Sequence, residues 1–166
     1  MLRAIRRVQT LADGDLLLPC EVIPRRHFVL ETPAGVRSYA GPALKQRRAD
    51  RFMTQHCHFE FDWQAPIRIQ HALWRIGVGL SDADTVLGPH NWAVLDGDLL
   101  LGDSGSLVTN RREALAVMEY GIQRRAESHL IARLTSSGEG ATAVAYVQTI
   151  RAGIDPEKLV DLWNVG

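Results

Sequence analysis

The sequence predicts an α+β fold: an antiparallel or mixed sheet built from hairpins, with three to four helices packed mainly on one face. Three observations carry this expectation. Asp-Gly and Pro-Ala-Gly turn signals sit between short β-rich runs. Several intervening segments space their apolar residues as a helix does. The regular strand–helix alternation of a parallel sheet is missing. The chain has 166 residues, 46% apolar and 23% charged, enough for one core and one compact domain over 1–166. No repeat, low-complexity tract or Pro/Ser linker divides it.

Four hairpins are expected along the chain. The first spans 5–23 and turns at Asp13-Gly14. The second spans 26–41 and turns at Pro33-Ala34-Gly35. The third spans 91–103 and turns at Asp96-Gly97, where both central positions favour positive φ. The fourth spans 128–150, with Gly138 and Gly140 supplying the turn. Helices are expected between them. Segment 42–53, polar on one side, reads as a short exposed helix. Segment 66–76 places Ile69, Ala72, Leu73 and Ile76 on one helical face. Asn110 reads as the cap of a helix in which Ala114, Val117, Met118 and Ile122 share a face. Asp155 before Pro156 and Glu157 is a helix start, and Leu159, Leu162 and Trp163 close the core.

Lys plus Arg and Asp plus Glu number 19 each. A neutral chain has no global pull toward nucleic acid or anionic lipid. The charges are nevertheless uneven: 1–51 hold ten basic and five acidic residues, and 57–110 hold two and seven. Attraction between these blocks within the fold accounts for the asymmetry as well as two faces of opposite sign would. Arg3, Arg6 and Arg7 interrupt any signal-peptide core, and no apolar run approaches a membrane span. The expectation is a cytoplasmic protein, not bound to membrane, with Cys20 and Cys57 as free thiols. Oligomeric state is not legible.

The densest polar pattern lies in 53–63. His56, His58, Glu60 and Asp62 alternate with Cys57, Phe59, Phe61 and Trp63. On a strand, the first four share one face. Imidazole and carboxylate are ordinary ligands of a divalent metal, so His56, His58 and Glu60 are the candidate ligands, with His90 as a fourth. A solvated outer face of a sheet has the same composition. His56-Cys57-His58 also resembles the His-hydrophobic-His motif of HUH endonucleases. That resemblance implies a divalent metal held by the two histidines and a helix-borne tyrosine attacking a phosphodiester. Tyr120 matches the tyrosine by position, and Arg124 or Arg125 stands where that helix carries a basic group.

Gly102-Asp103-Ser104-Gly105 is the tetrapeptide that surrounds the nucleophile of trypsin-like serine proteases, and His56-Cys57 echoes their histidine. Such a protease needs two β-barrels, and too few residues separate His56 from Ser104. The tetrapeptide reads instead as a tight turn at an exposed tip. It should join strands 99–101 and 106–109, with 91–95 completing a meander. Leu99 and Leu101 share one face and Leu100 takes the other.

A third constellation is basic. Lys45, Arg47, Arg48 and Arg51 in 42–53 are candidate phosphate contacts, with Tyr39 nearby to stack on a base. Together these readings favour a non-catalytic binding or regulatory domain acting through a protein partner or a small ligand. The alternatives are a metal-dependent hydrolase or nuclease centred on His56, His58 and Glu60, and a nucleic-acid-binding protein using the basic segment.

Overall fold

A computed structural model describes residues 2–11, 16–53, 61–125 and 139–163. The fold is α+β, with antiparallel sheets and six helices among the described residues. In chain order these are α1 (Leu2–Leu11), β1 (Cys20–Thr32), β2 (Gly35–Gln46), β3 (Arg51–Phe52), α2 (Gln64–Arg75), β4 (Gly79–Leu80), α3 (Asp84–Leu87), β5 (Trp92–Leu95), β6 (Asp98–Leu101), β7 (Leu107–Val108), α4 (Arg111–Ala116), α5 (Gly140–Gly153) and α6 (Pro156–Leu162). A 3-10 turn, Pro89–Asn91, precedes β5, and α4 runs on as a wider π-helix over Val117–Arg125.

The central sheet has the order β3-β5-β6. β5 and β6 form the expected hairpin, closed by Asp96 at φ 53° and Gly97 at φ 91°. Positive φ at both positions is the primed turn that matches strand twist. Asp50 fixes this turn by accepting from the Asp96 N–H at 2.8 Å. Leu17 bridges to Leu101 in parallel, so the sheet is mixed at that one point. Leu99 and Leu101 face the main core, while Leu100 joins Leu18, Ala49, Ala93 and Leu95 in a second cluster on the opposite face. The main cluster collects residues from α1 at one end to α6 at the other.

Helices α4 and α6 begin where the sequence places them, and α2 begins two residues earlier than the expected 66–76. Asn110 Oδ1 accepts from the N–H groups of Arg112 and Glu113 at 3.1 and 3.3 Å. Asp155 accepts from the Glu157 N–H at 3.0 Å, with Pro156 at the first helical position. Each cap satisfies donors that a helix start leaves orphaned.

Three expectations are corrected, two of them through the apolar period. The first arm of the 5–23 hairpin is helix α1, because Ala4, Ile5 and Val8 make a helical stripe that is buried; its turn, Asp13-Gly14, lies outside the described residues. The second arm of the 128–150 hairpin is helix α5. Ala143, Tyr146, Val147 and Ile150 are all fully buried at spacings of three and four, and this burial overrides their β propensity. Segment 42–53 is not a helix: it completes β2, where Leu44 pairs with Val22, then passes through a loop into β3.

The 102–105 turn is also placed differently. The Gly105 N–H donates to Asp103 Oδ1 at 2.8 Å, and Gly102 and Asp103 both donate to the Asn91 carbonyl. β7 then pairs with β4, with Leu107 opposite Leu80, and not with β6. Ser104 is therefore not at an exposed tip; only 2% of its surface is accessible. Gly105 does not have positive φ.

Candidate functional site

Among the described residues two features stand out beyond the core: an arm and a cleft. The arm is the β1–β2 ribbon. Thr32 pairs with Gly35 across the Pro33-Ala34 turn, and the register holds unbroken to the Arg26–Gly41 pair. Gly35 takes φ 114°, a conformation that suits glycine alone. Near the base the register shifts between Ile23 and Arg26, around Pro24. Cys20, Val22 and Leu44 anchor the base by packing on the main core. From Glu31 to Ala40 every residue is exposed, including Val36 at 69% and Tyr39 at 51%, and Val29 on β1 is 68% exposed. Val29 and Val36 are the most exposed large hydrophobic residues among the described residues.

The cleft has a volume of about 690 Å³ and lies between α2 and the central sheet. Ala65, Arg68, Ile69 and Ala72 make one stripe of α2 along it. Arg51, Val94 and Leu99 form a cross-strand row on the facing side. At the rim Arg68 pairs with Asp62 at 2.9 Å. The Gln64 backbone N–H, and then the Arg68 guanidinium, hold the Asp62 carboxyl below the usual range.

The sequence candidates fall as follows. His56, His58 and Glu60 lie outside the described residues, as does Cys57. Asp62 is not on a strand with them: it stands just before α2 and accepts from its first turn. His90 lies in the 3-10 turn, 3.6 Å from Asp84 Oδ2. Tyr120 is exposed on the π-helical segment, with the Arg124 guanidinium 5.4 Å from its ring centre. Among the described residues no three His, Cys, Asp or Glu side chains are grouped to hold a metal ion. Lys45 pairs with Glu21 at 3.8 Å and Arg47 with Asp96 at 3.2 Å, so two of the four candidate phosphate contacts already face carboxylates. Arg48 and Arg51 are exposed beside them.

Ser104 makes no hydrogen bond to a histidine among the described residues; His71 meets the Gly153 carbonyl and His90 meets Asp84. Burial pushes the Cys20 thiol up, away from the thiolate that a nucleophile needs. No helix among the described residues is long and apolar enough to cross a membrane.

The arm was half visible in the sequence. Its turn and strands were, but its isolation was not, because exposure on both faces is a tertiary property. A signal was available: Val29 and Val36 fall near Arg37, Ser38 and Glu31 without a continuous apolar face on either strand.

A polar group inside the core gives a stability prediction. Gln70 of α2 is fully buried, and neither its Oε1 nor its Nε2 has a hydrogen-bond partner among the described residues. An unmet buried amide costs on the order of 1–3 kcal/mol. Gln70→Met is therefore expected to stabilise the fold, with a higher urea midpoint at unchanged slope. A lower midpoint would mean that the amide has a partner in solution.

No protein-family model, curated protein or solved structure matches this chain.

Proposed function

We propose that this chain is a non-catalytic binding module that engages a protein partner through the β1–β2 arm. The observation that carries the reading is the exposure of Val29, Val36 and Tyr39 on a ribbon whose two strands make their extensive contacts with each other. A two-stranded hairpin alone in water is marginally stable. Open strand edges are templates for a further strand, and proteins normally cover or disarm them. An arm of this kind is stabilised by what it docks onto.

The charge on the ribbon favours protein over nucleic acid. Lys45 is countered by Glu21 at 3.8 Å, and Glu31 adds a second carboxylate to the ribbon. Phosphate binding through such a surface would fall steeply with salt; docking of apolar residues would not. The cleft beside α2 is where a small ligand would act within the same reading, its volume lying in the range usual for such sites.

Photo-crosslinking in cells tests the arm. A benzophenone amino acid at Val36 or Tyr39 is expected to give discrete protein adducts. The same probe at exposed Arg112, on α4, is expected to give none. Equal yields at all three positions, or no adduct from the arm, would remove the proposal. Stoichiometric zinc or manganese in tag-free protein would shift the reading to the metal-dependent alternative at His56, His58 and Glu60.

A further inference from the structure

The arm's partner, we infer, is a second copy of this chain: the outer edge of β1 from His27 to Glu31 pairs antiparallel with the same edge of another molecule. Two ribbons thereby join into one four-stranded sheet. The inference rests on the reading of the arm as the docking element and adds the identity of what docks.

Ladder geometry selects the edge. In an antiparallel pair, hydrogen-bonded and non-hydrogen-bonded positions alternate. The Thr32–Gly35 pair closes a two-residue turn and is hydrogen-bonded. Counting back, Leu30 and Phe28 bond to β2, while Glu31, Val29 and His27 direct their N–H and C=O groups outward. All three of these residues are exposed. Proline and bulges protect natural edges. Here both devices sit toward the base, at Pro24, at Pro42 and in the register shift before Arg26. The distal edge of β1 has neither. The matching edge of β2 offers Val36, Ser38 and Ala40 between Gly35 and Gly41, a run poorer in strand formers.

The β1 edge is complementary to itself. A two-fold axis through Val29 sets Val29 opposite its twin, Phe28 opposite Leu30, and His27 opposite Glu31. Apolar positions meet apolar ones, the only carboxylate meets an imidazole, and no like charges are opposed. Cross-strand pairs of these types stabilise a sheet, and an isologous contact closes at two copies and does not propagate. Four strands also relieve the marginal stability of the lone ribbon.

Sedimentation equilibrium on the full chain, from micromolar to near-millimolar concentration, tests the inference. The wild type is expected to show a monomer–dimer equilibrium. Val29→Pro removes an outward N–H without breaking a bond to β2, so it is expected to leave a folded monomer. Val29→Lys opposes two ammonium groups at the axis and is expected to weaken association by about tenfold. Glu31→Lys weakens it as well, and the swap His27→Glu with Glu31→Lys restores it. The fold is followed by tryptophan fluorescence, since Trp63, Trp74, Trp92 and Trp163 all lie outside the arm. A monomer at every concentration overturns the inference, and so does a dimer indifferent to both Val29→Pro and the charge swap. Crosslinks from Val36 or Tyr39 separate the two readings. Adducts to a different protein, from a chain that stays monomeric, remove the second copy but keep the arm as a docking element. Absence of any adduct together with a monomer at every concentration removes both.

Discussion

Trp92→Ala is expected to lower global stability by about 3–5 kcal/mol, the range for emptying a large aromatic site in a core. Trp92 is fully buried at the start of β5 and opposite Leu101. Its indole N–H donates to the Val86 carbonyl at 3.1 Å. That carbonyl sits in the last turn of α3, where it has no partner within the helix. Tyr146 of α5 donates to the same oxygen at 3.0 Å, so two buried aromatic donors satisfy it together. Removing the indole opens a cavity and withdraws one donor. Tyr146→Phe removes only the other donor and is expected to cost about 1 kcal/mol. Urea unfolding of both variants checks the ranking. Since domains of this kind are stable by roughly 5–15 kcal/mol, the Trp92→Ala protein should be close to unfolding at physiological temperature. A cost for Trp92→Ala no larger than that of Tyr146→Phe would mean that the aromatic cluster does not organise this core.

Burial explains which elements could be read from the sequence. The Asp96-Gly97 hairpin and the Asn110 and Asp155 caps depend on residues within a few positions of each other, and all three are present. The strands expected at α1 and α5 reflect the β propensity of Ile, Val and Thr in those segments, while their helical identity comes from packing on distant residues. Gln123 of the π-helical segment donates to the Ile154 carbonyl just after α5, 31 positions away. β7 pairs with β4 and not with the expected β6 for a related reason. Two residues of strand, Leu107 and Val108, hold too little pattern to choose between β6 and β4. β4 also packs on α4 at Gly79, a contact that no local signal announces.

The candidate site was less legible than the fold. Chemistry-bearing side chains draw attention in a sequence, and His56, His58, Glu60 and the Gly102–Gly105 turn did so here. Most of those described are absorbed by local structure: Asp62 by the start of α2, Asp103 by its own turn, Arg47 by the β5–β6 hairpin. The arm instead carries ordinary residues such as Val29, Val36 and Tyr39. What marks them is exposure, and exposure depends on which elements fail to cover them.

Gly79→Ala is expected to destabilise the protein by about 1–3 kcal/mol, and Gly79→Val by more, because the site is already filled. Gly79 begins β4 and pairs with Val108. A Cβ built on it would lie 2.3 Å from the Cβ of Ala114 and 3.4 Å from the Trp163 ring. Ala114 is fully buried on α4, and its methyl group has no rotamer by which to withdraw. Helix α4 would have to move as a body, and the Asn110 cap and the β4–β7 pairing resist that movement. The clash is local and specific, so it should be reciprocal. Ala114→Gly alone is expected to cost about 1 kcal/mol in helix propensity and lost packing. In combination with Gly79→Ala it reopens the space, and the double variant should be more stable than the sum of the single costs implies. Denaturant midpoints of the four proteins in this cycle give the coupling directly. Strict additivity would show that α4 and β4 do not meet at these two positions.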